Sequence, residues 1–139
     1  MNWRAFLVGA VMLAAGFLAS AQPPPKIKRG APENISAADG PRMFRAYCAV
    51  CHGLEGLGNG PAAGALKKQP ADLTQLSRKN NGKFPVYRVA NVIQGAGETA
   101  AHGSREMPIW GTVFRTLGTD TVKLRVDNLT SYIDSIQRQ

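Results

Sequence analysis

Cys48, Cys51 and His52 are the residues of this chain whose types and spacing can do chemistry. They stand in Cys48-Ala49-Val50-Cys51-His52, and the 139 residues include only 2 cysteines and 2 histidines. Positions three apart share a helix face, so both thiols point one way and the imidazole follows at once. That arrangement is the attachment signature of haem c: each thiol adds to a vinyl group as a thioether, and the imidazole ligates the iron. Three other chemistries use the same residue types. A redox-active dithiol wants a βαβ pattern around it, which the chain lacks. A disulfide closing so small a ring serves catalysis rather than stability. A structural zinc needs four ligands, and Cys48, Cys51, His52 and the distant His102 would make a poor tetrahedron, with two of them adjacent. The spacing favours haem.

The elements that must position this motif follow from patterning. Met1 to Arg4 carries one positive charge, Ala5 to Ala19 is apolar, and Ala19-Ser20-Ala21 has a small-x-small cleavage pattern. Residues 1–21 therefore read as a signal peptide cut after Ala21, with an uncleaved membrane anchor as the alternative. Residues 22–38, beginning Gln22-Pro23-Pro24-Pro25, read as a proline-rich basic arm, extended and solvated. Residues 39–139 are then one domain, too short to divide further.

Within that domain the pattern predicts three helices, long Gly-rich connections and no strand. The first runs from an Asp39 cap into Cys51, with Pro41 in its first turn and Met43, Phe44, Tyr47 and Val50 on one face. The second covers about 84–94 and stops at Gly95. The third covers about 120–137 after a Thr119 cap, where Val122, Val126, Leu129, Ile133 and Ile136 form a buried stripe. Three modest helices enclose too little apolar volume alone, so a haem would complete the core. The formal charge is +8, or +7 without Arg4. Lys67, Lys68, Arg78, Lys79, Lys83, Arg88 and Arg105 are scattered and lack interleaved aromatics, which argues against nucleic acid. A basic exported haem protein fits redox partner proteins with acidic docking surfaces, and membrane contact only if the N-terminal segment is retained.

From about Asp39 to Ile136 the chain resembles the class I monohaem c-type cytochromes of bacteria. Gly40, Phe44 and Cys48 are spaced as in that family's N-terminal helix, where the glycine lets the terminal helix cross closely. Leu129 and Tyr132 match the partner positions. Ala71-Asp72-Leu73-Thr74 is also similar to bacterial members. The resemblance implies an all-α, cytochrome c-like fold with about three main helices around one covalent haem c. It implies, too, that a proline carbonyl holds the proximal histidine: Pro61 in Asn59-Gly60-Pro61, with Pro70 as the alternative. Pro41 departs from the pattern and would shorten the first helix.

The second axial ligand has several candidates: Met43, His102, Met107, Lys67 and Lys68. Met43 sits on the motif's own helix and suits the core. Met107, 55 positions after His52, lies in Arg105-Glu106-Met107-Pro108-Ile109-Trp110, where Pro108 favours extended backbone before it. Met-Pro in such a loop resembles the family's ligand segment, so Met107 is the expected distal ligand and His102 the rival. Trp110 and Arg105 could contact the haem propionates, though Trp110 suits a core equally. The resulting expectation is an exported, periplasmic single-electron carrier that is not itself an enzyme. A cytochrome subunit of a larger periplasmic dehydrogenase or oxidase, and a haem sensor or peroxidase-like protein, are the alternatives.

Overall fold

The computed structural model describes residues 32–96 and 107–138, and every structural statement below concerns these. They form four helices, joined by turns and short 3-10 segments without a strand. Helix α1 is three consecutive pieces: an α-turn Gly40–Met43, a π-turn Phe44–Cys48 and an α-turn Ala49–His52. In the π-turn the Ala49 N–H donates to Phe44 O, five residues back. Helix α2 is Val86–Gln94, α3 is Trp110–Leu117 and α4 is Val122–Ser135. The chain is all-α, as expected, with one helix more than patterning gave.

That extra helix, α3, begins at the end of the segment read as ligand loop and fills a stretch read as connection. It has no side-chain cap, and Gly111, Thr112, Val113 and Thr116 are weak helix formers. Packing holds it instead. The rings of Trp110 and Phe114 lie 5.4 and 5.6 Å from that of Tyr47, and Gly111 lets the Gln94 carbonyl approach where a Cβ would stand only 2.7 Å away. Trp110 thus joins an aromatic cluster with the core.

Helices α1 and α4 cross where the resemblance implied. A Cβ on Gly40 would meet Asn128 O at 2.4 Å and Tyr132 Cβ at 3.3 Å, so only glycine permits this approach. One turn on, the Phe44 and Tyr132 rings stand 5.1 Å apart. Pro41 does not shorten the helix: Asp39 Oδ1 accepts from Arg42 N at 2.9 Å, and the proline occupies the first turn, where its missing N–H costs nothing. Val126, Leu129 and Ile133 of the α4 stripe are buried against Met43, Phe44 and Phe114, with Val122 packed at the margin. Met43 is fully buried, a core residue. Two helix starts differ by two residues. Helix α2 begins at Val86 because Phe84 precedes Pro85 and is biased away from helix. A 3-10 turn, Thr119–Thr121, occupies the expected start of α4.

Packed structure also extends upstream of Asp39. Ile35 and Ala37, inside the segment 22–38 read from the sequence as a solvated arm, are buried. Arg125 on α4, itself only 3% exposed, donates to Ile35 O at 2.6 Å and to Asn34 Oδ1 at 2.9 Å. Its guanidinium lies 5.9 Å from the centre of the Phe114 ring, within cation–π range. Neutral acceptors satisfy this buried charge, and in doing so tie residues 34–35 to the core. Tyr47 adds a second tie, its hydroxyl donating to Glu33 O at 2.5 Å. Segment 1–21, read as a signal peptide from the sequence, lies outside the described residues.

Candidate haem-attachment site

Helix α1 ends at His52, and its last carbonyls would be orphaned without outside donors. The following loop supplies them. Gly53 N reaches Ala49 O at 2.8 Å, Ala62 N reaches Val50 O at 2.9 Å, Gly60 N reaches Cys51 O at 3.0 Å and Gly58 N reaches His52 O at 2.8 Å. Gly60 must be glycine, since a Cβ there would stand 2.5 Å from both Ala49 O and Val50 O. Asn59-Gly60-Pro61 therefore serves to hold the backbone that presents the motif.

Cys48 and Cys51 are free thiols, both partly buried. Burial, with Cys51 beside it adding to the effect, pushes the Cys48 thiol from 9.0 up to about 12. Burial raises Cys51 as well. Both groups are held protonated at neutral pH, the reverse of a redox-active dithiol, whose nucleophilic thiol is depressed.

His52 Nδ1 lies 3.0 Å from Ala71 O. A carbonyl only accepts, so Nδ1 carries the proton and Nε2 keeps its lone pair. Burial lowers the ring's pKa, opposed by the bond to Ala71, and favours the neutral form that ligates metals. The acceptor corrects the sequence expectation: it is neither Pro61 nor Pro70 but the residue after Pro70. Pro70 O instead packs on Gly58, where a Cβ would stand 2.3 Å away, and the next carbonyl is the one that meets His52. Downstream, Asp72 caps the 3-10 turn Leu73–Gln75, accepting from Thr74 N at 2.9 Å and Thr74 Oγ1 at 2.6 Å. Leu73 N donates to Gly56 O at 2.7 Å. No residue type could have flagged Ala71, because a backbone oxygen does its work.

Met107 is 37% exposed and sits three residues before Trp110, whose ring packs on Tyr47 beside Cys48. Gly95, the stop of α2, packs on Ile109 of the same segment, where a Cβ would be 2.4 Å from Ile109 Cγ2. His102 and Arg105 lie outside the described residues. A surface groove lined by Arg45, Val50, Leu54, Leu57 and Pro61 includes neither cysteine nor His52, so it is not the attachment site.

Two protonated thiols and one imidazole nitrogen fit a group that brings its own metal and equatorial donors. Among the described residues no three His, Cys, Asp or Glu side chains converge to hold a bare ion. A helix ending in this donor set, crossed by a terminal helix at a glycine, defines a c-type cytochrome. Residues 36–122 match the model of the family described as cytochrome c oxidase, cbb3-type, subunit III, and the chain belongs to that family. It binds haem c covalently and carries electrons. The match begins at Ser36, directly after the residues that Arg125 ties down, and ends at the first residue of α4. None of the curated proteins and none of the solved structures gives a match.

Proposed function

We propose that this chain is an exported, monohaem, class I-type electron carrier, in which Cys48 and Cys51 would form the thioethers and His52 and Met107 would ligate the iron. The observation that carries this reading is the His52–Ala71 hydrogen bond beside two free thiols. It fixes the imidazole's tautomer and orientation before any metal is bound, as the partners of ligating histidines generally do. When bound, haem c supplies one iron that alternates between ferrous and ferric states. Each thiol contributes its sulfur and its hydrogen across a vinyl double bond, so the protonated state is the stoichiometric reactant. His52 offers Nε2 and Met107 its thioether sulfur. Were His52 and Met107 both to ligate the iron, the site would suit electron transfer rather than substrate chemistry, which supports a carrier that is not an enzyme. Segment 1–21 would direct export to the periplasm and be removed after Ala21, leaving Gln22 as the first residue in the intact mass. The basic surface would meet acidic faces of redox partners.

Replacing Met107 tests the ligand set. Met107→Ala should keep haem covalently bound, lower the reduction potential by removing the donor that favours ferrous iron, and admit carbon monoxide. A wild-type potential and spectrum in Met107→Ala, with both altered in His102→Ala, would make His102 the ligand. The family match favours a second reading, a cytochrome subunit within a larger oxidase. Co-purification with a catalytic partner at fixed ratio through high salt would select it, because a transient, charge-steered contact dissociates there.

A further inference from the structure

We propose that Gln137 is a positioning residue for His52, acting through the segment that carries Ala71; the inference rests on His52 being an iron ligand. Gln137 lies just past the end of α4, 66 positions after Ala71. Its amide spans two parts of the molecule. Nε2 donates to Leu73 O at 2.6 Å and to Ile133 O at 2.7 Å, while Oε1 accepts from Ser77 N at 2.9 Å. Both donor hydrogens and the carbonyl are engaged, so the amide has one orientation.

The segment it grips needs such a tie. Leu73–Gln75 is a single 3-10 turn, a conformation with poor internal hydrogen-bond geometry that rarely extends itself. Leu73 O and Ser77 N are the two ends of that turn and its continuation, and Gln137 brackets them. Arg138 N adds a bond to Thr74 O at 2.9 Å. Ala71 stands two residues before Leu73, in a stretch held by loop contacts to Gly56 and Gly58 and by the Asp72 cap.

The bonds close a circuit. His52 is carried on α1, and α1 is fixed to α4 where Gly40 meets Asn128 O. Helix α4 continues to Gln137, Gln137 holds Leu73, and Ala71 returns to His52 Nδ1. Breaking the circuit at Gln137 leaves the protein folded but lets the Ala71 carbonyl drift from the imidazole. A weaker Nδ1–H bond makes the ring a poorer donor, which favours ferrous iron and raises the potential.

The test uses the haem-loaded protein with Gln137→Met, which keeps length without hydrogen bonding, and Gln137→Ala as its second form. The control is Asn128→Ala, which cuts the bond from Asn128 Nδ2 to Ala37 O (3.0 Å) on the other part of α4. Both Gln137 variants should raise the reduction potential and speed solvent exchange of the His52 Nδ1 proton about tenfold, measured by NMR. Asn128→Ala should lower the denaturation midpoint and leave both readouts at wild type. Wild-type potential and exchange in both Gln137 variants, despite lowered midpoints, would make Gln137 a structural tie only and overturn the proposal. Separately, a wild-type potential in His52→Ala would overturn the ligand assignment itself, whatever the Gln137 variants do.

Discussion

The two ends of α1 are held by different physics. Its first half is fixed by packing against α4: Gly40 against the backbone of Asn128, and the fully buried Phe44 ring against the partly buried Tyr132 ring. Its last turn is fixed chiefly through backbone, four amides of the following loop answering four carbonyls, with Gly60 too close for any side chain. Packing tolerates small shifts by repacking, whereas a backbone ladder keeps or loses its geometry as a unit. The end that must hold two sulfurs and an imidazole in fixed relation is the end built from backbone.

Three substitutions break or sharpen this contrast. Phe44→Ala removes a fully buried ring and should cost about 3–5 kcal/mol in urea denaturation. The haem spectrum of its folded fraction should stay that of the wild type; an altered spectrum would show that the packed half also tunes the site. Gly60→Ala forces a methyl against three backbone atoms and should cost about 1–3 kcal/mol. Its sharper consequence should be a lower yield of covalently attached haem, read by mass after denaturation. Equal attachment in the Phe44 and Gly60 variants would erase the distinction between the halves.

Asp72→Ala should have the smallest effect, about 1 kcal/mol at neutral pH from a lost cap. The Thr74 hydroxyl holds the Asp72 carboxyl below its ordinary value in the folded protein. That contribution is present above the unfolded carboxylate value, about 4, and vanishes as pH falls through the folded one. Wild type and variant should therefore converge in acid. A gap that persists at low pH would mean the cap works without its charge.

Residue types that recur rarely were legible in the sequence. Cys48, Cys51 and His52 declare themselves by spacing, and Gly40, Phe44 and Tyr132 by family likeness that the crossing bears out. The stripe on α4 was readable because its burial follows helical period. What stayed hidden has no side-chain signature. The acceptor for His52 is a carbonyl of an alanine, chosen by the path of the chain past Gly58. Helix α3 is held by aromatic contacts that propensity cannot see. Arg125 sits on the buried side of α4, where a charged residue reads as solvent-facing, because its partners lie 90 and 91 positions away.

The π-turn Phe44–Cys48 carries one residue more than an α-turn in its place would need. An α-helix advances about 100° per residue, so that spare residue resets the angular phase between the helix's two ends. Phe44 can then face Tyr132 while Tyr47 faces Trp110. The direction in which the cysteines look is thus uncoupled from the direction in which the crossing glycine looks. Either end can be retuned by substitution without turning the other, a freedom that an uninterrupted helix of rigid pitch would deny.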